Sequence, residues 1–156
     1  MTDDPEATIC DYYDALRAGE PIHPFFADAG PVVKVGIGER LVGADAVAAG
    51  IAEQTRTTTD WAVESRDLRV GAVGSDGRIG GDVGTGRGER TRADEASDAA
   101  EFAWFGDEVF VGWTDTERSI RFEFVTRWSG AMARRGGAEG NDWRFVEMHV
   151  SVAGET

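Results

Sequence analysis

The sequence predicts a single α+β domain in which N-terminal helices are followed by a strongly curved antiparallel sheet. The chain has 156 residues, a length typical of one domain with its own core. Apolar residues recur at helical spacing near the N-terminus, whereas they alternate with polar residues in the last third of the chain. Helices first and neighbouring strands later favour a sheet that wraps over the helices.

The first predicted helix begins at Asp4 and ends at Gly19. Asp4 is a capping residue, Pro5 suits the first helical position, and Gly19 suits the C-terminal cap. The apolar residues at helical spacing between them are Ile9, Tyr12, Tyr13 and Leu16. This helix is expected to bury one face.

A short strand over 32–35 and a returning strand at Leu41 and Val42 are predicted next. Gly36-Ile37-Gly38 separates them and lacks the third glycine of a dinucleotide-binding loop. Gly43 precedes a second predicted helix over 44–56. The sequence therefore shows no nucleotide-binding signature here.

The central part predicts one strand over 61–73 with a β-bulge near residues 65–67, because the alternation changes phase there. Residues 75–100 contain many glycines and charges and few large aliphatic residues. Such a composition buries too little surface to offset the entropy of ordering it. We therefore expect a flexible insertion at about 75–100 within a single domain of residues 1–156.

Three strong strand patterns follow the insertion. They cover residues 102–114, 119–133 and 143–152, and residues 115–118 form the predicted hairpin between the first two. Gly106 and Asp107 are interpreted as a bulge or turn within the first of them. Together these strands predict an antiparallel meander.

The last strand carries the residues that look most suited to chemistry. Unbroken alternation places five side chains on one face: Trp143, Phe145, Glu147, His149 and Ser151. If that face lines a cavity, Glu147 and His149 are a candidate proton-transfer pair. The alternatives are a structural ion pair, or polar groups on a solvated or subunit-contact face.

The net charge of −13 excludes several classes of partner. An acidic surface repels phosphate backbones and anionic membranes, so we expect neither nucleic acid nor membrane as a partner.

The acidic N-terminus does not resemble a secretory signal, and a lone Cys10 cannot form an internal disulfide. Two histidines and one cysteine, far apart, make a zinc site unfavourable, so no metal is expected. These features favour a cytoplasmic protein.

Several segments resemble SnoaL-like proteins of the nuclear transport factor 2-like superfamily. The end of the chain, Trp-Arg-Phe-Val-Glu-Met-His-Val-Ser over 143–151, resembles their final strand. Ala103-Trp104-Phe105 and residues 126–130 resemble the two strands before it, and residues 36–47 resemble the segment that leads into the second helix. The resemblance covers most of the chain outside 75–100.

The resemblance implies a cone-shaped sheet around the helices, an internal apolar pocket and a homodimer through the outer face of the sheet. It leaves open whether the chain is an enzyme, because such folds host isomerases, cyclases, dehydratases and non-catalytic modules. The expected catalytic residues are Glu147 and His149. The expected ligand-binding residues are Tyr13, Trp104, Phe122, Phe124, Trp128 and Phe145.

The leading hypothesis is a pocket that binds a small apolar or mixed-polarity molecule, with cofactor-independent proton transfer as the reaction class. Isomerisation, cyclisation and dehydration all belong to that class, and no cofactor site is visible. The alternative is a non-catalytic dimeric binding or assembly module.

The charge pattern generates a first prediction about salt. Of sixteen basic residues only Lys34 is lysine, and the acidic residues number 29. This pattern is typical of a protein from a halophile, where salt at about 1 M screens repulsion beyond roughly 3 Å. The alternative is an ordinary acidic protein from a high-GC genome, which also favours arginine over lysine. We expect partial unfolding in dilute buffer and recovery in molar potassium chloride, measured by circular dichroism. Full stability without salt would count against the halophilic origin.

Overall fold

A computed structural model describes residues 4–73, 79–81, 100–135 and 143–153. Within these ranges the chain forms two α-helices, one short 3-10 helix and eight strands in one sheet. The helices are α1 (Pro5–Ala18), the 3-10 helix (His23–Phe25) and α2 (Ala44–Thr57). The strands are β1 (Val33–Val35), β2 (Arg40–Val42), β3 (Thr58–Ser65), β4 (Arg69–Val73), β5 (Ile79–Gly81), β6 (Ala100–Asp115), β7 (Ile120–Arg135) and β8 (Arg144–Val152).

Both ends of α1 form for the local reasons that the sequence indicates. The Asp4 carboxylate accepts a hydrogen bond of 3.0 Å from the backbone N–H of Glu6, which satisfies one of the helix's free donors. Gly19 adopts a left-handed conformation with φ of 73° and closes the helix. The predicted helix bounds are thus confirmed.

The strands form a single sheet in the order β2-β1-β8-β7-β6-β4-β5, and β3 also pairs with β6. All pairings are antiparallel except that of β1 with β8, which is parallel. The predicted curved antiparallel sheet is therefore confirmed, with one parallel pair that the prediction did not include. β8 lies between β7, to which it is antiparallel, and β1, to which it is parallel.

The segment predicted as one bulged strand is two strands, β3 and β4. β3 pairs with the C-terminal half of β6, and β4 pairs with its N-terminal half. The chain bends between them at residues 66–68, and the register shift in β3 lies between Thr59 and Ala62. The change of phase in the sequence marks this bend and not a bulge.

Most of the predicted insertion at 75–100 lies outside the described residues. The exceptions are β5, which pairs with β4 through Gly71 and Gly81, and the first residue of β6.

A β-bulge in β8 changes which residues face the core. Ala131 of β7 pairs with Glu147, but its neighbour Met132 pairs with Phe145, so Val146 is an extra residue. Phe145 and Met148 are both fully buried although they are three residues apart. The extra residue therefore shifts the alternation by one position along the rest of the strand.

The core lies between the helices and the inner face of the bent sheet, in an α+β cone. α1 contributes one face that includes Ile9, Tyr12, Tyr13 and Leu16. The ring of Tyr12 packs edge-on against Phe25, Phe26, Trp128 and Phe145 with centroid distances of 5.2–6.1 Å. The helices thus fill the cone with aromatic side chains.

Gly130 provides a test of the close contact between β7 and β8. A Cβ at Gly130 would overlap the backbone oxygen of Glu147, whereas one at Gly106, on the neighbouring strand, would have only the Trp128 oxygen at 3.8 Å. We expect Gly130→Ala to lower the free energy of unfolding by about 1–3 kcal/mol, the usual cost of overpacking.

The matched control is Gly106→Ala, which we expect to be neutral or slightly stabilising because alanine loses less backbone entropy than glycine. Chemical denaturation of both variants measures the difference. Equal midpoints for the two variants would contradict the close approach at Gly130.

Candidate functional site

A cavity of about 340 Å³ lies between the helices and the inner face of the sheet. Its walls combine indole rings and aliphatic groups with a small number of polar side chains, as is usual for small-molecule sites. The apolar lining includes Leu16, Trp61, Val111, Trp113, Trp128, Met148 and Val150. The polar lining includes Tyr12, Lys34, Glu39, Glu53, Gln54, Thr57 and Thr58.

The aromatic wall contains two stacked indoles. The rings of Trp61 and Trp113 lie 5.1 Å apart at an angle of 24°. The indole N–H of Trp61 donates to Thr58 over 2.9 Å, and that of Trp128 donates to Thr126 over 2.7 Å. These bonds fix the rings of Trp61 and Trp128, so this part of the wall is preformed.

The polar end of the cavity holds an ion pair between Lys34 and Glu39. The Nζ of Lys34 donates to Oε2 of Glu39 over 2.6 Å. The lysine side chain is only 6% exposed, whereas the glutamate side chain is 34% exposed. Removing an ammonium group from water costs several kcal/mol, and the partner only partly offsets it. A pair of this kind in a cavity wall is a candidate for function more than for stability.

The turn between β1 and β2 produces this pair. Lys34 lies on the inner side of β1, next to Met148 in the register with β8. The backbone N–H of Gly36 donates to the backbone carbonyl oxygen of Glu39 over 2.9 Å, which closes the turn. A Cβ at Gly36 would lie 3.0 Å from Oε2 of Glu39, so glycine leaves room for the carboxylate to fold back toward Lys34.

Tyr12 presents a buried phenol to the same cavity. The residue is 2% exposed and lines the cavity, yet its hydroxyl makes no hydrogen bond to any residue in the described ranges. Burial raises the pKa of Tyr12, and the nearby Glu39 charge raises it further. Buried hydroxyl groups normally have partners, so a phenol with none among the described residues is an exception.

The neighbouring Tyr13 is held in a separate cluster around Asp107. The Asp107 carboxylate accepts hydrogen bonds from the Tyr13 hydroxyl at 2.8 Å, the Ser65 hydroxyl at 2.7 Å and the Asp67 backbone N–H at 2.9 Å. Asp107 is only 8% exposed and lies within β6. The interpretation of Asp107 as a turn residue was therefore wrong, since its partners come from distant parts of the chain.

Glu147 and His149 lie outside the cavity lining. His149 is exposed and Glu147 is partly buried, while Met148 and Val150 line the cavity in their place. The predicted face assumed unbroken alternation along β8. The bulge at Val146 shifts the alternation by one position, so Met148 and Val150 face the cavity instead. Proton transfer by Glu147 and His149 inside the cavity thus has no support from their placement.

The six aromatic residues predicted to bind ligand have different positions. Trp128 lines the cavity. Tyr13 and Phe145 are buried in the core and are not part of the lining. Phe122 is stacked on Trp113 and Phe124 is tilted against it, and neither is part of the lining. Trp104 is 44% exposed on the outer face, against Gly71.

Sequence reasoning did not single out Lys34 and Glu39. It predicted Tyr12 on the buried face of α1, where the structure places it, but not its contact with the cavity. One signal for Lys34 was visible, since it is the only lysine of the chain. The partnership with Glu39 had no comparable signal, because it depends on the side chain folding back across the turn. Of the two adjacent tyrosines, the sequence prediction chose Tyr13 as the ligand-binding residue, whereas the structure places Tyr12 in the cavity lining.

No group of three or more histidine, cysteine, aspartate or glutamate side chains within the described ranges is arranged to hold a metal ion. No helix there has the length and apolar character needed to cross a membrane.

Comparisons with known proteins agree on the fold. No family model matches the chain, and no curated protein matches its sequence. Solved structures do match. A nuclear transport factor 2-like superfamily protein from Salmonella enterica serovar Typhimurium has a TM-score of 0.64 at 13% identity, over 96% of this chain and 89% of the other.

Two further structures cover this chain almost completely. A ketosteroid isomerase-like protein from Erwinia carotovora atroseptica has a TM-score of 0.58 at 16% identity, over 96% of this chain and 94% of the other. A nuclear transport factor 2-like protein of unknown function from Pseudomonas putida has a TM-score of 0.58 at 15% identity, over 97% and 85%.

The chain therefore has the α+β cone fold of the nuclear transport factor 2-like superfamily, and the fold predicted from the resemblance is confirmed. At these identities the likeness concerns the fold alone.

The two tyrosines generate a prediction about alkaline pH. They are the only tyrosines of the chain, and burial is the main cause that raises the pKa of each. In the unfolded chain a tyrosine ionises near pH 10. Above that pH the unfolded state binds fewer protons than the folded state, so the free energy of unfolding falls as pH rises.

We expect phenolate absorbance to appear only together with the loss of circular dichroism in an alkaline titration. The chain in denaturant serves as the control and should titrate near pH 10. Phenolate absorbance from either tyrosine while the fold remains intact would contradict the burial of that ring.

Proposed function

We propose that this chain binds a small, neutral molecule with a planar apolar body in the cavity, and that the Lys34–Glu39 pair transfers a proton on it. The observation that carries the proposal is the location of this pair. It lies at the polar end of a cavity whose other walls include three tryptophan rings. Carboxylate and ammonium groups at such a position supply a base and a stabiliser of developing negative charge.

The charges in the lining favour a neutral ligand. Lys34 is the one cationic residue among the lining residues, and it is neutralised by Glu39. The remaining carboxylate, Glu53, pairs with Arg56 over 2.6 Å at the exposed edge. An anionic ligand would therefore have to compete with Glu39, whereas a ketone or phenol would not.

Tyr12 supports a ligand with an acceptor oxygen. A buried phenol with no partner in the described part of the chain gains a full hydrogen bond when a ligand oxygen reaches it. The same site can hold an enolisable ketone while Glu39 removes a proton from the adjacent carbon. Reactions of this kind need no cofactor, and the isomerase-like name of one structural neighbour agrees with the class.

A second candidate function is the non-catalytic dimeric module. Phe102 and Trp104 are 51% and 44% exposed on the outer face of the sheet, which favours contact with a second copy. In that case the oligomer would form without any ligand, and the cavity variants would not alter it. Sedimentation of the wild-type chain tests the dimer, and a dimer that binds no aromatic ketone or phenol would favour this candidate over the pocket protein.

Replacement of Tyr12 tests the binding site. Acetonaphthone, a neutral planar ketone, should quench tryptophan fluorescence because three of the five tryptophans line the cavity. We expect Tyr12→Phe to weaken this binding about two- to tenfold, as the loss of one hydrogen bond predicts.

The matched control is Tyr13→Phe, one residue along the same helix, which removes a hydroxyl bonded to Asp107 and outside the cavity lining. The phenyl ring keeps its contact with Trp128, so the affinity of this variant for acetonaphthone should fall less than that of Tyr12→Phe. Equal weakening in both variants would argue against a direct contact with Tyr12. Absence of quenching by neutral aromatic ketones and phenols would overturn the binding proposal itself.

A further inference from the structure

Lys34 is exceptional among the basic residues of this chain. Fifteen of the sixteen are arginine, and the only lysine occupies a buried position in a cavity wall. Arginine forms ion pairs with carboxylates as well as lysine does, and often with better geometry. What arginine cannot do is lose its proton and act as an amine. A deprotonatable amine is therefore the property that distinguishes this position.

The surroundings of Lys34 fit a nucleophile. Glu39 Oε2 lies 2.6 Å from Nζ and is the acceptor for the proton that the amine must lose. Glu39 is the one hydrogen-bond partner of the ammonium group within the described ranges. Two further N–H bonds thus have no protein partner there, in a side chain that lines the cavity. A nucleophile with a base in hydrogen-bonding reach is the usual arrangement for covalent catalysis.

We propose that the Lys34 amine forms a reversible imine with the aldehyde or ketone carbonyl of a ligand in the cavity. The proposal rests on the proposed function, because it needs a carbonyl compound to enter that cavity. It adds the substrate class and a covalent step, which ligand binding alone does not require.

The step conserves atoms and charge. Glu39 takes a proton from the ammonium group, the nitrogen lone pair forms the C–N bond, and the carbonyl π electrons move to oxygen. Proton exchange through Glu39 neutralises the oxygen and the nitrogen. Glu39 then protonates the hydroxyl, water leaves with the C–O electron pair, and the nitrogen lone pair forms the C=N bond. A carbonyl and an ammonium group thus become an iminium ion and water.

The iminium ion explains how the pair would transfer a proton. It withdraws electrons from the adjacent carbon more strongly than a ketone does, so the C–H bond there is weakened. Glu39 regains its negative charge when water leaves and is then the base for that proton. Lys34 and Glu39 would have separate roles in one sequence, the first as nucleophile and the second as proton carrier.

Reductive trapping tests the imine on the full chain. Sodium borohydride converts an imine into a stable secondary amine, which peptide mapping by mass spectrometry locates. The probe is naphthaldehyde, and the α-amino group at the start of the chain is the internal reference. An ordinary lysine should react about a hundredfold more slowly than an α-amino group at neutral pH, because its pKa is roughly two units higher. We expect the reverse, with Lys34 labelled first.

Two variants assign the chemistry. Lys34→Arg keeps the positive charge beside Glu39 and should abolish the internal adduct. Glu39→Gln keeps the lysine and removes the base, so it should slow labelling at Lys34 about a hundredfold or more. Labelling of Lys34 at the same rate in Glu39→Gln would overturn the role of the carboxylate.

The wild-type chain separates the two proposals. Quenching of tryptophan fluorescence by acetonaphthone with no naphthaldehyde adduct at Lys34 would overturn the imine and leave the binding site intact. Quenching together with labelling of the α-amino group alone would also overturn the imine and leave the binding site intact. Absence of both quenching and labelling would overturn the imine together with the proposed function.

Discussion

The carboxylate of Asp107 is the constraint on which the arrangement of the cavity depends. It is buried in β6 and accepts hydrogen bonds from α1 through Tyr13, from β3 through Ser65, and from the bend after β3 through the Asp67 backbone. A buried carboxylate that lost these donors would keep a large desolvation cost. The three segments therefore have one mutual arrangement in which all four groups are satisfied.

That arrangement decides which tyrosine faces the cavity. Consecutive residues on a helix point about 100° apart, so fixing Tyr13 against Asp107 also fixes the direction of Tyr12. Tyr12 then packs against Phe145 and Trp128 and lines the cavity. Two adjacent and chemically identical side chains thus differ: one makes a structural hydrogen bond, and the other has no hydrogen-bond partner among the residues that the structure describes.

Local features of the sequence predicted the elements well, because their causes are local. The cap at Asp4, the left-handed Gly19 and the turn after β6 all depend on residues near one another in the chain. Asp115 accepts hydrogen bonds from two backbone N–H groups of that turn, as its position there suggested. Such features need no knowledge of the rest of the fold.

The residues that line the cavity were harder to predict, because contacts between distant parts of the chain decide which side chains face it. Alternation predicted Glu147 and His149 on the same face as Phe145. In the pairing with β7, however, Val146 is an extra residue, so Glu147 and His149 lie on the opposite face from Phe145. Asp107 follows Gly106, a pair typical of turns, yet donors from α1 and the β3–β4 bend hold it inside a strand. In both cases the deciding partners lie on other elements, which no local pattern records.

The bulge in β8 gives one strand two alternative linings. The present set, Met148 and Val150, is apolar, and the set on the opposite side includes Glu147 and His149. A bulge only changes phase, so its position along the strand selects the set that meets the interior. If the bulge lay after His149 instead of at Val146, Glu147 and His149 would face the interior with Phe145. A shift in the position of the bulge during evolution would therefore replace an apolar wall by a carboxylate and an imidazole. The chemistry of such a cavity would change while the residues of its closing strand stayed the same.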